Sequence, residues 1–491
     1  MTAVTTDFET VIGLEVHVQP ITQSKMFCGC SADYAGAAPN THVCPVCLGL
    51  PGVLPVINEE AIRLIVKTGL ALNCTIAEFS KFDRKNYPYP DLMKGYQVSQ
   101  FDLPICYDGW LDVEVEGERT RVGITRVHME EDTARLLHRT DAATGEGYTL
   151  IDINRSGTPL METVSEPDMR SPEEARAYLV SLRSILRTIG ASRANMEEGN
   201  FRCDANVSLR RPGTETLGTK VEVKNMNSFR AVYEALRFEQ VRQAAILEAG
   251  GTIHQETRGW DQDRAETVGQ RSKEEANDYR YFPEPDLPPL ALSRSFVEEA
   301  RNELPELPAT RRQRYLDLGL SEFEASTLAE ARDRSDFADA VAAALPFDDT
   351  RAAKLAANWV LGEVGRWANA NGADVERFPL SPEALAELIT MAENATITGQ
   401  VAKQVFDDMV TSGRDAAALV EEGGLAQVGE SDELREIVRA VIRANEPVVA
   451  DYRGGKTTAI KRLLGGVMKE TKGRANPQTA QELLERELAT E

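Results

Sequence analysis

Thr10-Val11-Ile12-Gly13-Leu14-Glu15-Val16-His17-Val18 decides how the N-terminal half folds. β-Branched residues dominate the stretch and its polar groups fall at alternate positions. It therefore reads as a strand with Glu15 and His17 projecting from the same face. Glu15 stands out as a carboxylate inside an apolar strand. His17 is open to three readings: metal ligand, proton carrier or satisfied core histidine.

Just after this strand come Cys28-Gly29-Cys30 and Cys44-Pro45-Val46-Cys47. Two pairs on tight turns supply the four thiolates of a tetrahedral zinc site, and Gly29 and Pro45 suit such turns. Buried free thiols are the alternative. A closed set of four sulfurs leaves no position for substrate, so the expected Zn2+ is structural. The chain has seven cysteines, an odd number with four clustered, which favours metal over a disulfide framework.

Farther along, Trp110-Leu111-Asp112-Val113-Glu114-Val115 alternates and runs into a Glu116-Gly117-Glu118 turn, with Arg119 to His128 as the expected partner strand. Residues 1 to about 170 read as strands and tight loops. Ser171-Pro172-Glu173-Glu174 is a capping box with proline at the first helical position. Ala175, Tyr178, Leu179, Leu182, Ile185, Leu186 and Ile189 follow at helical spacing, and Gly190 stops the run. Ser228 to Ala249 is a second helix, ended by Gly250-Gly251. Strand-like Ala205–Leu209 and Lys220–Val223 lie between, so an α+β domain is expected. Four prolines within Phe282–Pro289 mark a boundary. Beyond it the chain reads as helical, with breaks at Pro346, Gly372, Pro382 and Gly423-Gly424.

Length and composition set the class. The chain has 491 residues, enough for several domains, and its 42% hydrophobic and 27% charged content is that of a globular protein. No apolar run approaches the ~20 residues of a membrane span. Met1 to Thr10 has no apolar core of a signal peptide, so a cytoplasmic location is expected. A net charge of −23 argues against wrapping nucleic acid over the whole surface. One segment runs the other way. Asp451 to Pro477 carries Arg453, Lys456, Lys461, Arg462, Lys469, Lys472 and Arg474 against Asp451 and Glu470, a balance of 7 − 2 = +5. That is the footprint expected for RNA backbone, a solvated helix face being the alternative.

Two further groups bear on chemistry. Glu130-Glu131-Asp132 and Glu162 join Glu15 as scattered acids, each of which taken alone reads as an ordinary solvated carboxylate; a hard cation such as Mg2+ takes oxygen ligands and usually accompanies a phosphate-bearing substrate. Lys81 to Tyr96 places Lys81, Arg84, Lys85 and Lys94 among three tyrosines and two prolines, cations and π-faces that suit phosphates and unpaired bases, an exposed charged loop being the alternative. The Walker A motif, the Rossmann glycine fingerprint, the kinase His-Arg-Asp set and the Gly-x-Ser-x-Gly elbow are all missing.

Long strings in one order resemble the B subunit of bacterial aspartyl/glutamyl-tRNA amidotransferases. They include Ile12–Gln19, Ser24–Cys28, Phe82–Tyr87, Tyr96–Gln100, His128–Asp132, Asn154–Glu162, Arg202–Asn206, Asp278–Glu284 and Lys472–Pro477. The resemblance implies three parts: a cradle-like α+β catalytic domain over 1–292, a helical domain over 293–405 and a tail domain like the small YqeY proteins over 406–491. It implies a heterotrimer with an amidase (A) subunit and a small C subunit. The reaction it implies is ATP- and glutamine-dependent conversion of misacylated Asp-tRNA(Asn) or Glu-tRNA(Gln) to the amide. Glu15, His17, one of Glu130 and Glu131, and Glu162 would form the Mg2+ site. Lys81, Arg84 and Lys85 would receive the phosphates of ATP, and Lys456, Lys461, Arg462, Lys469, Lys472 and Arg474 would meet tRNA. Pro88, Met93 and Thr133-Ala134-Arg135 depart from the common family pattern, and none is a proposed metal ligand. A non-catalytic tRNA-binding scaffold and a free-standing metal-dependent phosphotransferase are the competing readings.

Overall fold

The computed structural model describes residues 8–271, 279–427 and 432–490. Residues 1–7 of the N-terminal stretch and Asp278 of the family strings lie outside the described residues. The chain divides into two compact bodies, Met1–Pro308 and Ala309–Glu491.

The first body is built on strands, in chain order β1 (Glu9–Val18), β2 (Thr75–Ile76), β3 (Phe79–Ser80), β4 (Asp83–Asn86), β5 (Tyr96–Ser99), β6 (Cys106–Val115), β7 (Glu118–Glu131) and β8 (Arg135–Thr140). They continue with β9 (Gly147–Asp152), β10 (Pro159–Ser165), β11 (Phe201–Arg210), β12 (Val221–Met226), β13 (Thr257–Asp261), β14 (Glu266–Arg271), β15 (Phe282–Pro283) and β16 (Leu290–Ala291). Nine of them form one sheet in the order β14-β13-β12-β11-β1-β10-β7-β6-β2. β1 sits at its centre, antiparallel to β10 on one side and β11 on the other. A small sheet, β15-β4-β5, lies separately, and β8 and β9 pair as a hairpin.

Strand β1 has the expected two faces. Leu14, Val16 and Val18 are buried, and Glu15 and His17 are half-buried on the other side. The apolar face continues through Met129, Met161, Cys203 and Val207 into one core with α1 (Glu59–Ala71), α2 (Pro172–Thr188) and α3 (Phe229–Glu248). α2 and α3 fall where the sequence reading placed them. Ser171 caps α2, its hydroxyl accepting from Glu174 N at 3.1 Å, and Ser228 caps α3. The return half of the α2 box is displaced: Glu174 Oε2 accepts from Arg170 N rather than from the cap residue.

Helix α1 is a correction to the strand-and-loop reading of residues 1 to 170. Its Ile62, Ile65 and Val66 are buried as a β-rich run would be, but Asn58 caps the amides of Glu60 and Ala61 and starts a helix. The first body also runs past the proline-rich segment, taking in α4 (Arg294–Asn302), whose Phe296 and Val297 pack on its core.

The second body is helical. Gly372 and Gly424 cap helix C-termini in the left-handed conformation, whereas Pro382 starts a helix as its first-turn proline. Two separate hydrophobic clusters fill it, one spanning Tyr315 to Val420 and one Leu434 to Leu488. The expected division at 405/406 falls inside the helix Gly399–Ser412, whose Val405, Phe406 and Met409 belong to the first of these clusters. Among the described residues no helix is long and apolar enough to cross a membrane.

Candidate active site and metal centres

Pairing across the large sheet brings distant residues into one row. Arg202 on β11 opposes His17 on β1, His17 opposes Glu162 on β10, and Glu162 opposes His128 on β7. Cross-strand neighbours on one face stand about 5 Å apart at Cβ, so the side chains of His17, Glu162 and His128 meet. His17 Nε2 lies 3.3 Å from Glu162 Oε2, and His128 Nε2 lies 3.4 Å from both Glu162 Oε2 and Glu130 Oε1. His17, Glu130 and Glu162 each offer a ligand atom within 4.8 Å of one another.

Alternation along β7 separates the adjacent glutamates. Glu130 shares the face of His128 and joins the cluster, accepting from Ser99 Oγ at 2.7 Å and Gln97 Nε2 at 3.1 Å. Glu131 leaves by the other face. It pairs with Lys94 and accepts from Val98 N at 2.9 Å. Glu15 shares the face of His17, but residues two apart on a strand are separated by about 7 Å. Its carboxylate instead accepts from Asn206 Nδ2 at 2.8 Å, and it is not part of the His17, Glu130 and Glu162 group.

The cluster is buried and charged. Glu130 and Glu162 are 2% and 8% exposed. Burial opposes the charge of Glu130, but Lys85, followed by His128, holds its carboxyl down at about 2. Glu162 is held well below the carboxylate range by His128, His17 and Lys85, against the cost of burial. Burial likewise opposes the imidazolium of His17, yet the Glu162 carboxylate, with Glu130 and Asp204 behind it, raises its pKa to about 9. Two carboxylates and an imidazole converging on one point are a donor set that a divalent cation fits. The buried Nδ1 of His128 has no hydrogen-bond partner among the described residues.

Of the three expected phosphate-binding cations, only Lys85 faces this cluster. Burial works against its ammonium, and Glu130, Tyr281 and Glu162 overcome that to hold it charged. Its Nζ lies 5.0 Å from the ring centre of Tyr279 and 5.9 Å from that of Tyr87. Lys81 is taken up by Asp83 and Asp102. Arg84, one residue out of phase with Lys85 on β4, forms a two-pronged pair with Glu284 at 2.7 Å for each prong.

The sulfur quartet assembles in the loop between β1 and α1. Cys28, Cys30, Cys44 and Cys47 bring their Sγ atoms within 4.8 Å of one another, with Cys44 and Cys47 3.9 Å apart. Four thiolates about 2.3 Å from one ion stand about 3.8 Å apart, so the set fits tetrahedral zinc. The Cys28 thiol, the Cys44 amide and the nearby Lys25 ammonium lower the Cys47 pKa to about 5 against burial. Lys25 is itself fully buried, donating to His42 O at 2.8 Å. Gly49 closes the second turn at a φ of +67°, and a Cβ there would lie 2.5 Å from Lys94 Cγ. A cavity of about 200 Å³ between this loop and β5 is lined by Cys28, Cys47, Gly49, Lys94 and Glu131, among others.

In the second body, Lys461, Arg462, Lys469 and Lys472 are exposed. Lys461, Arg462 and Lys469 belong to the helix Ile460–Glu470, where spacings of seven and eight put them on one side. Lys456 is exposed and paired with Asp451 at 3.1 Å. Arg474 is spent internally, donating to Thr471 O at 3.2 Å and Gly424 O at 3.3 Å.

The sequence reading missed His128, Gln97, Ser99 and Arg202. The alternation that identifies His17 from Glu15 identifies His128 from Glu130. Gln97 and Ser99 carry no such signal, because the pairing of a separate small sheet brings them here.

Residues 10–298 match the family described as GatB/GatE catalytic domain, and residues 343–488 match the GatB domain. The chain is 54% identical to the B subunit of an aspartyl/glutamyl-tRNA(Asn/Gln) amidotransferase from Dehalococcoides mccartyi (strain CBDB1), covering 98% of this chain and 99% of the relative. Proteins of the same name from Thermomicrobium roseum and Carboxydothermus hydrogenoformans are 54% and 50% identical, each over 98% of this chain and 99% of the relative. With the catalytic-domain family spanning the row of residues from His17 to Arg202, the chain belongs to the family of aspartyl/glutamyl-tRNA(Asn/Gln) amidotransferase B subunits.

Proposed function

We propose that this chain activates the side-chain carboxylate of misacylated Glu-tRNA(Gln) or Asp-tRNA(Asn) with ATP and converts it to the amide. The ammonia comes from glutamine through an amidase partner, in a heterotrimer with a small C subunit and in the cytoplasm. One observation carries this reading: the convergence of half-buried His17 with buried Glu130 and Glu162, faced by Lys85.

A carboxylate has no usable leaving group. Its oxygen attacks the γ-phosphorus of ATP and ADP departs; ammonia then attacks the acyl carbon of the acyl phosphate and inorganic phosphate leaves. His17, Glu130 and Glu162 would hold Mg2+, with Glu15 nearby on the same face; when bound, the ion supplies charge neutralisation for the triphosphate. Lys85 binds phosphate as a point charge, walled by Tyr87 and Tyr279. Cys28, Cys30, Cys44 and Cys47 would hold structural zinc. In the tail, Lys461, Arg462, Lys469 and Lys472 meet the tRNA backbone, with Lys456 beside them and Arg474 bracing the fold. A distinct hydrophobic cluster from Leu434 onward supports treating that tail as its own part, following catalytic and helical parts.

Reconstitution with the partner subunits tests the reading, each misacylated tRNA being offered in turn. Glu162→Gln is expected to abolish amide formation while tRNA binding persists. Unchanged amidation by that variant would overturn it.

A further inference from the structure

Arg202 has no role in the reading above, yet its placement is specific. It stands directly opposite His17 across the β1–β11 ladder, on the face that carries the carboxylate cluster. Its side chain is 39% exposed, and one nitrogen, Nη2, is fixed at 3.0 Å to Asp132 Oδ2. Asp132 is buried and held from several sides: Gln19 Nε2 donates to it at 2.6 Å and Thr133 N at 2.9 Å. Tyr34 in turn donates to Gln19 Oε1 at 3.0 Å. Arg155 lies near the same carboxylate at 3.6 Å but spends Nε and Nη2 on the carbonyls of Thr133 and Ala134.

Asp132 is the only hydrogen-bond partner of Arg202 among the described residues. Nε and Nη1 are therefore left without one, on a side chain that stays partly exposed. A guanidinium pinned at one corner presents its remaining donors in a rigid fork, the geometry that matches a carboxylate in two-pronged fashion. The other cation of the site is of a different kind. Lys85 is a half-buried point charge on the small sheet, held charged by the field of Glu130 and Glu162. The two cations come from different sheets, Lys85 from β4 of the small sheet and Arg202 from β11 of the large one.

Resting on the amidation reading, we infer that Arg202 receives the side-chain carboxylate of the aminoacyl group, and that the site has a polarity. The phosphate donor enters on the Lys85 side, and the carboxylate acceptor on the Arg202 side. Acceptor and donor would then be held by separate cations of one site, the orientation that phosphoryl transfer needs.

The test uses the assembled heterotrimer. Arg202→Ala is expected to raise the KM for misacylated tRNA by about 10- to 100-fold, the range for a hydrogen bond to a charged group. The KM for ATP should stay within about twofold, as should inhibition by deacylated tRNA, which lacks the carboxylate. Arg202→Lys keeps the charge without the fork and should recover only part of the loss. Arg202→Gln serves if Arg202→Ala does not fold. A rise in the KM for ATP alone would make Arg202 a phosphate contact and overturn the inference. Equal weakening of acylated and deacylated tRNA, or no change in either, would also overturn it. Lys85→Ala and Glu162→Gln run in parallel. If both leave amidation intact, the amidation reading itself fails; if both abolish it while Arg202→Ala is silent, only the carboxylate assignment fails.

Discussion

The two ligand clusters of the first body are built by opposite means. The sulfur quartet comes from a single loop between β1 and α1, where tight turns bring near neighbours in sequence together. The carboxylate–imidazole cluster takes one residue from each of three sheet strands, so the register of β1, β10 and β7 sets its geometry. A loop of that kind needs its ion to have a shape. A sheet row has its shape already and can hold charge in place for chemistry. On the function proposed above, the difference separates a site that would maintain structure from one that would react.

The comparison breaks most readily at Glu130. Glu130→Gln keeps the hydrogen bonds of Gln97 and Ser99 within reach but removes a charge, and should lower the amidation rate by about 10²–10³-fold with the fold unchanged by circular dichroism. A variant of near-normal rate would reduce the sheet cluster to an ordinary buried ion network. Next in size is loss of the sulfur cluster. Cys44→Ser with Cys47→Ser should bring zinc content from about one equivalent to near zero by elemental analysis. The melting temperature should fall by roughly 5–10 °C, at about 2–4 °C per kcal/mol for a large body. No zinc in the parent protein would end that side of the comparison. The smallest effect sharpens it. Glu131→Gln, one residue from Glu130, should cost about 1–3 kcal/mol of stability through its Lys94 and Val98 partners and change turnover less than tenfold. A loss equal to that of Glu130→Gln would mean that the alternation of β7 does not separate the two.

Much of this was legible in the chain, and what was not has a physical cause. Period-two alternation exposed the two faces of β1, a capping box with 3.6-residue spacing marked α2, and the Gly250-Gly251 stop marked the end of α3. Helix α1 was misread because its isoleucines and valine serve a buried helix as well as a strand, and only Asn58 distinguishes the two. The four cysteines declare themselves by spacing because their site is local. Glu130 and Glu131 could not be separated without the register of β7, although His128 lies two residues before Glu130 in the same alternation. Lys81 and Arg84 looked equivalent to Lys85 as cations, yet both are neutralised by acids, including the sequence-distant Glu284. In the tail, charge alone could not distinguish the internally bonded Arg474 from the exposed Lys461 and Arg462.

The central place of β1 has a consequence for biosynthesis. It emerges from the ribosome long before β10 and β11, its two neighbours in the sheet. Until residue 210 has been made, one edge of the strand lacks its final partner, and the apolar face bearing Leu14 and Val16 lacks its full cover. Closing such long loops is slow, and an unpaired strand edge invites pairing with other chains. The row that begins with His17, among the early residues translated, is thus completed only when β11 has been made, and until then the nascent first body carries an open strand edge of the kind that chaperones shield.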